Sequence, residues 1–147
     1  MAKENDVSLF KHKISLKVRF SDLDAMRHVN NASYLSYLEE GRIAYFNDVL
    51  KAPKGSLSFG AVVARVEIDY FAPIELGDEV EILTRVDSFG KKSSVLHNAV
   101  VINRNNEKTV AAFAVTHLVS YDYKTKRTVP IPENVKEIIM KFEADNE

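Results

Sequence analysis

Hydrophobic and polar residues alternate near the start of the chain and then change to a helical spacing. Between residues 11 and 20 the apolar residues alternate in part with polar ones, the period-two pattern of a half-buried strand. From Asn31 onward, apolar residues recur every three or four positions, which predicts a helix that ends near Leu50. Asn30 or Asn31 is a suitable N-cap, because a short polar side chain accepts a bond from a free amide of the first turn.

The remainder of the chain has mostly the composition of strands. Four stretches rich in strand-forming residues follow the helix: Ala61–Phe71, Glu79–Val86, Ser94–Asn103 and Thr109–Ser120. The sequences Ser88–Lys92 and Arg104–Glu107 between the later stretches predict hairpin turns. A short amphipathic helix is predicted over Glu133–Phe142.

The predicted order is a strand, a long helix, four strands connected mainly by hairpins, and a short helix. This order is typical of an α+β protein whose antiparallel sheet packs on one dominant helix. The length of 147 residues predicts a single domain over 1–147, with the core at about 10–122 and the short helix at about 132–143. The tyrosine-rich helix and the uncovered sheet edges favour a homodimer.

Composition excludes several classes of protein. A net charge of −1 gives no cationic surface for nucleic acid. The absence of cysteine removes thiol nucleophiles, cysteine-based zinc sites and disulfides, and it favours a cytoplasmic location. No apolar run approaches the length of a membrane span, and the histidines lack the spacing of metal ligands, so we expect no membrane span and no metal site.

The segment from Arg19 to Leu35 carries the residues best suited to chemistry. Two carboxylates, Asp22 and Asp24, precede the helix, and His28 follows them. Asp24 can activate water as a base or attack a carbonyl carbon directly, whereas Asp22 is better suited to bonding the backbone of the turn. The helix start near Asn31 offers unpaired amides to a developing oxyanion.

Structural interpretations of the same residues stay open. Asp24 equally suits an Asx-type turn or a cap. His28 either orients water, holds the carboxylate or protonates a leaving thiolate, or it packs the turn. Glu39, two helical turns further on, either orients water and thioester or pairs with Arg42 or Arg65.

The run from Arg19 to Arg42 resembles the opening of hotdog-fold acyl thioesterases. The closest group is the 4-hydroxybenzoyl-CoA thioesterase-like family, and the run is also similar to plant acyl-ACP thioesterases. Val66–Ile74 with Gly77-Asp78 resembles the second strand of the family and its turn, and Ser88–Ser93 resembles its hairpin near bound pantetheine. The resemblance covers about residues 12–122. It implies an antiparallel sheet of about five strands wrapped around one long central helix, in a homodimer or a dimer of dimers.

The resemblance also implies hydrolysis of an acyl-CoA or acyl-ACP thioester, with no cofactor beyond the coenzyme A of the substrate. By this resemblance Asp24 is the catalytic carboxylate and the Asn31 amide polarises the thioester carbonyl. His28 matches a histidine of the plant enzymes, but Met26 stands where they carry an asparagine. Glu39 lies where a carboxylate is common in the family, and another hotdog branch takes its catalytic glutamate from the helix.

The acyl chain is expected to run along the helix. Tyr34, Leu35 and Leu38 would line it, leading toward the partner subunit's Phe59 and the partner subunit's Val63.

Coenzyme A phosphates need cations at the surface. Lys91 and Lys92 in the hairpin are candidates, as are Lys124, Lys126 and Arg127 after the last strand. Solvated lysines are common in turns, so this cluster has an ordinary structural explanation too.

Two other functions compete with thioester hydrolysis. Enoyl-thioester hydratases of the same fold pair an aspartate and a histidine five residues apart around Asn-Pro, whereas Asp24 and His28 are four apart with no proline. A non-catalytic acyl-CoA-binding protein is the second alternative. Such proteins usually add a regulatory segment, for which 147 residues leave no room.

Overall fold

A curled antiparallel sheet wraps around one long helix in the computed structural model, which describes residues 6–52 and 60–144. The strands are β1 (His12–Lys17), β2 (Ala61–Tyr70), β3 (Glu79–Phe89), β4 (Ser93–Arg104), β5 (Glu107–Asp122) and β6 (Arg127–Thr128). The helices are α1 (Asn31–Val49) and α2 (Glu133–Ala144), and single 3-10 turns cover Val7–Leu9 and Phe20–Asp22. The strand order is β1-β3-β4-β5-β2, with β6 paired to the end of β5. The α+β hotdog architecture is therefore confirmed.

The predicted elements agree with the observed ones within a few residues. The first hairpin turn is tighter than predicted, because β3 extends to Phe89 and β4 begins at Ser93. The second is a two-residue turn in which Asn105 and Asn106 have φ angles of 56° and 64°. Positive φ at both positions matches the twist of the flanking strands, and asparagine tolerates it. The short strand β6 was not predicted.

Helix α1 rests directly on β3 in the concave face of the sheet. A Cβ atom at Gly41 would lie 2.5 Å from Cγ2 of Ile82, so the absence of a side chain permits this close approach. The buried positions recur at helical spacing along the face toward the sheet: Tyr34, Tyr37, Leu38, Gly41, Tyr45, Phe46 and Val49.

The concave core has two halves. The first surrounds the N-terminal half of α1 and includes Leu38, Ile74 and Ile82. The second surrounds the C-terminal half, where Tyr45 packs with Ile139 of α2. Helix α2 thus belongs to the core rather than lying outside it. A third cluster, including Leu83 and Phe113, lies apart from both and packs against Phe10 from the N-terminal segment.

Strand β2 ends the described sheet on one side. It pairs with β5, its register shifts between Val63 and Arg65, and Val63 and Tyr70 are about half exposed. Beside β2, α1 exposes Leu35 and Ile43. A long apolar edge strand is a template for pairing with another chain. Among the described residues, no helix is both long and apolar enough to cross a membrane.

Candidate active site

The turn that carries Asp24 folds back on itself between Leu23 and Val29, which form an isolated β-bridge. The Asp24 amide donates to the His28 carbonyl at 2.8 Å, and Arg27 has a φ of 64°. Asp24 Oδ1 accepts hydrogen bonds from the amides of Met26 at 2.9 Å and His28 at 3.2 Å. The Asx-type turn considered above is therefore present.

The other carboxylate oxygen of Asp24 is available for chemistry. The side chain is exposed, and Oδ2 has no hydrogen-bond partner among residues 6–52 and 60–144. One oxygen fixes the orientation of the carboxylate while the other stays open to a water molecule or a carbonyl carbon. The structural and the catalytic interpretations of Asp24 are thus compatible.

A cavity of about 640 Å³ opens at this turn. The polar side chains of Asp24, Arg27, His28 and Glu75 are among those that line it. Three exposed apolar side chains also line it: Phe20 (81% exposed), Met26 (74%) and Leu76 (54%). The imidazole of His28 is half-buried and has no hydrogen-bond partner within the described ranges. A carboxylate and an imidazole therefore line the same cavity as three exposed apolar side chains. We call this cavity the Asp24 pocket.

Asp22 links this turn to helix α1. Its buried carboxylate accepts bonds from the Arg19 amide (2.9 Å), the Arg19 guanidinium (3.0 Å) and the Tyr37 hydroxyl (2.7 Å). Burial works to raise the pKa of Asp22, but these three donors together hold it below its usual value. Burial, and then the bond to Asp22, raise the pKa of Tyr37. The structural role predicted for Asp22 is seen directly in these bonds.

The first turn of α1 leaves one amide unbonded. Asn30 caps the helix, since its Oδ1 accepts from the Ala32 amide at 2.7 Å and its carbonyl accepts from the Ser33 amide at 2.9 Å. Among the described residues the Asn31 amide has no partner, so a helix-terminal donor of the predicted kind exists. Asn31 is not among the residues that line the Asp24 pocket in one chain.

The far side of the pocket was not foreseen from the sequence. The Val29 amide donates to the Ile74 carbonyl at 2.8 Å, and Glu75 forms a β-bridge with His28. Glu75 and Leu76 thereby enter the pocket lining. Gly77-Asp78 resembled the family's turn after the second strand, but nothing in the sequence indicated that this turn meets His28.

Glu39 lies in a different place from Asp24. It is exposed on α1, where two adjoining cavities of about 330 and 300 Å³ share Glu39, Arg42 and Val63. Among the described residues Glu39 has no ion pair, and Arg65 instead pairs with Glu67 at 3.4 Å. Burial lowers the pKa of Arg42, which Glu39 partly offsets. We call this channel between α1 and β2 the α1–β2 groove.

The residues predicted to contact the acyl chain separate into two groups. Leu35 and Leu38 line the α1–β2 groove, together with Val63 of the same chain, although Leu38 is only 2% exposed and also belongs to the first core cluster. Tyr34 is instead buried in the core (3% exposed) and packs edge-to-face on Tyr70, with ring centroids 4.9 Å apart. Burial raises the pKa of Tyr34 to about 12. The predicted Phe59 contact lies outside the described residues.

Lys91 and Lys92 occupy the exposed turn between β3 and β4, and Lys92 Nζ donates to the Thr128 hydroxyl at 3.2 Å. Strand β3 has 11 residues and spans about 35 Å. The two lysines therefore lie at the opposite end of the sheet from the Asp24 pocket in one chain. Among the described residues no cluster of three or more histidine, aspartate or glutamate side chains is placed to hold a metal ion.

Known proteins match this chain over nearly its full length. The model of the thioesterase-like superfamily matches residues 18–139. The long-chain acyl-CoA thioesterase FadM of Escherichia coli (strain K12) is 31% identical over 125 residues, covering 83% of this chain and 92% of that protein. The chloroplastic acyl-acyl carrier protein thioesterase ATL2 of Arabidopsis thaliana is 25% identical over 137 residues, covering 92% of this chain and 71% of that one.

A solved structure matches still more closely. The thioesterase from Thermus thermophilus, crystallised in complex with coenzyme A and Zn, is 38% identical. The match covers 92% of this chain and 96% of that one, with a TM-score of 0.79.

Proposed function

This chain belongs to the thioesterase-like superfamily, and from that premise we propose that it cleaves acyl-CoA thioesters at the Asp24 pocket. The observation that carries the assignment is the state of the Asp24 carboxylate, which is oriented through Oδ1 and open at Oδ2 beside a cavity of about 640 Å³. The acyl-CoA thioesterase activity named for the Escherichia coli relative and the coenzyme A bound by the Thermus structure support the same substrate class.

The proposed reaction is hydrolysis to a free acid and a thiol. Asp24 takes a proton from water while the water oxygen bonds to the thioester carbonyl carbon. The Asn31 amide donates to the oxyanion that forms, with the positive end of the α1 dipole behind it. The C–S bond then breaks, and the thiolate receives the proton that Asp24 took from water, either directly from Asp24 or relayed through His28. Direct attack by Asp24, giving an anhydride that water hydrolyses, is the alternative first step.

A homodimer joined at the β2 edges is part of this proposal, because it would bring cationic side chains toward the site. The Ala61 end of β2 pairs with Ser120, whose amide donates to the Lys92 carbonyl at 2.7 Å, whereas the Tyr70 end lies against Tyr34 near the start of α1. Two-fold antiparallel pairing of β2 with its copy places the Tyr70 end of each strand beside the Ala61 end of the other. The dimer would bring Lys91 and Lys92 of each chain toward the Asp24 end of the other, where the phosphates of coenzyme A need cations.

The α1–β2 groove is the proposed path of the acyl chain. Its lining runs from Leu35 to Asn47 on α1, a distance of about 18 Å. This length supports an extended acyl chain, and the E. coli relative is named for long-chain substrates. Glu39 would then lie beside the acyl chain in the groove, away from the reacting carbonyl carbon. A cytoplasmic location and a further dimer of dimers are parts of the same proposal.

A panel of acyl-CoA thioesters of increasing chain length tests the assignment, with thiol release as the readout and the matching acyl-ACP thioesters run alongside. We expect thiol release that is fastest with long chains. Faster release from acyl-ACP would assign the carrier protein as the partner, as the name of the Arabidopsis relative suggests. Addition of water to crotonyl-CoA without thiol release would favour a hydratase. Tight binding of acyl-CoA without turnover would favour a non-catalytic binding protein.

A further inference from the structure

One side of the Asp24 pocket is the six-residue segment 73–78, which is part of the eight-residue connection between β2 and β3. Its residues Glu75 and Leu76 line the pocket together with Asp24 and His28. The loop approaches the Asp24 turn through the Val29 amide, which donates to Ile74 at 2.8 Å, and through the bridge between His28 and Glu75. The shape of the pocket therefore depends on where the loop 73–78 lies.

Arg104, the last residue of β4, binds this loop at both of its ends. Its Nε and Nη2 donate to the two carboxylate oxygens of Asp78 at 2.8 and 2.6 Å, and Nη2 also donates to the Pro73 carbonyl at 3.2 Å. Asp78 Oδ2 in turn accepts from the Glu75 amide at 2.8 Å. One guanidinium and one carboxylate thus fix the start, the middle and the end of the loop.

These bonds are not what keeps the loop attached to the protein. Ile74 is fully buried in the first core cluster and anchors the loop by itself. Beyond Ile74 the loop is exposed at Gly77, which has a φ of 95° and, among the described residues, no atom beyond its chain neighbours within 4 Å of where a Cβ would lie. The bridge to His28 and a turn bond from the Asp78 amide to the Glu75 carbonyl (3.1 Å) also contribute to the path of the loop. The Arg104–Asp78 pair supplies the side-chain bonds that fix residues 75–78, which include both pocket-lining side chains.

We propose that Arg104 and Asp78 are positioning residues, which hold Glu75 and Leu76 at the distance from Asp24 and His28 that catalysis requires. This inference rests on the proposed function and extends it to residues that do not touch the pocket. Asp78 has a side chain 5% exposed, so its carboxylate depends on the guanidinium for compensation. A lysine at 104 would keep the charge but would lose the planar fork that meets both carboxylate oxygens and the Pro73 carbonyl.

The variants Arg104→Met, Arg104→Lys and Asp78→Asn test the proposal, with Arg85→Met as a matched control. Arg85 forms a comparable strand ion pair, 3.2 Å from Asp87, that does not line the Asp24 pocket. We expect Arg104→Met and Asp78→Asn to lower kcat on the best acyl-CoA about 10- to 100-fold, with KM changed by less than about threefold. The kcat of Arg104→Lys should lie between the kcat of these two variants and that of the native protein. The kcat of Arg85→Met should stay within about twofold of the native value.

Amide hydrogen exchange gives a readout that needs no turnover. In the Arg104 and Asp78 variants the amides of Glu75 and Val29 should exchange faster, while those in the β3–β4 ladder keep their protection. Native kcat in both Arg104→Met and Asp78→Asn, or unchanged exchange at Glu75, would overturn the proposal. If Arg104→Met does not fold, Arg104→Lys decides by the same two measurements. Absence of thiol release by the native protein would refute the proposed function, whereas exchange at Glu75 would still decide whether Arg104 positions the loop.

Discussion

The two ends of the concave face of the sheet both contain a buried core cluster, but they differ in how much apolar surface they leave open. At the Asp24 end, directional hydrogen bonds and ion pairs fix the backbone, as at Asp22 and Asp78, while Phe20 and Met26 remain exposed. At the other end, α2 closes the sheet over a buried cluster that includes Tyr45, and Glu143 of α2 accepts hydrogen bonds from the Tyr45 hydroxyl and the Val86 amide.

We infer that the two ends of this small domain contribute differently to folding and to catalysis. Non-directional burial supplies most of the folding free energy, and it needs no open surface. A reactive site needs open surface and fixed angles, which hydrogen bonds to charged groups supply at short range. We therefore expect substitutions at the Asp24 end to change turnover first, and substitutions at the α2 end to change stability first.

The sharpest test of this division is Asp24→Asn. Asparagine keeps an oxygen for the Met26 and His28 amides, so the turn is retained, but it can neither take a proton nor attack a carbonyl. We expect kcat to fall by about 1000-fold, with the unfolding midpoint almost unchanged. Steady-state thiol release and urea denaturation measure the two effects, with Glu107→Gln in the β4–β5 hairpin as a control. A folded Asp24→Asn protein with native kcat would remove Asp24 from the mechanism.

The opposite pattern is expected for Ile139→Ala in α2. Ile139 is fully buried, so its truncation leaves a cavity in the second core cluster and should cost about 3 kcal/mol of unfolding free energy. The neighbouring Ile138 is 43% exposed, and Ile138→Ala is the matched control, with an expected cost below about 1 kcal/mol. Denaturant titration measures both. If Ile139→Ala lowers kcat of the folded protein as strongly as Asp24→Asn does, the two ends are not independent.

A smaller effect should follow from removing the lysines of the β3–β4 turn. In the proposed dimer Lys91 and Lys92 serve the Asp24 end of the other chain, so Lys91→Ala with Lys92→Ala should raise KM for acyl-CoA about threefold to tenfold with little change in kcat. The increase should shrink as salt is added. Lys108→Ala, near the other end of β5, is the control. An unchanged KM would show that these lysines do not contribute to binding of coenzyme A.

The smallest effect is expected from mild acid. The pKa values of Asp22 and Asp78 lie below the ordinary 3.8 in the folded chain, so the unfolded chain binds protons first as pH falls. Their contribution to stability is complete well above pH 3.8 and is lost as pH falls through the folded pKa values. The loss should begin near the unfolded pKa of 3.8 and increase as pH falls further below it. Urea denaturation from pH 6 to pH 3 measures it, and a flatter profile is expected for Asp22→Asn. If the unfolding free energy of both proteins depends equally on pH, Asp22 does not contribute to the acid sensitivity.

Sequence was sufficient wherever a structural feature is local. The periodicity from Asn31 onward determines α1, Asn30 caps it as its side chain predicts, and the paired asparagines 105 and 106 form the expected turn. Asp24 accepts both of its hydrogen bonds within four residues of chain, and Asp22 accepts two of its three from Arg19, so the Asx-type turn at Asp24 and the backbone bond to Asp22 could be predicted in advance.

Features that depend on distant parts of the chain were harder to foresee. Glu39 faces the α1–β2 groove because of the rotation of α1 on the sheet, which no local pattern fixes. The distance of Lys91 from the Asp24 pocket follows from the length and register of β3. Glu75 reaches the pocket through a loop whose path is set by Arg104, a residue 29 positions away.

The close approach of α1 to β3 at Gly41 has a consequence for anyone who engineers this protein. Replacing a mid-helix glycine by alanine is a standard way to improve thermal tolerance, because alanine favours helix by about 1 kcal/mol. Here the added methyl would overlap Cγ2 of Ile82, and the strand or the helix would have to move. The helix carries Asn31 at its start, so such a displacement would also move the amide that we propose as the oxyanion donor. A library that selects only for heat resistance should therefore keep position 41 fixed.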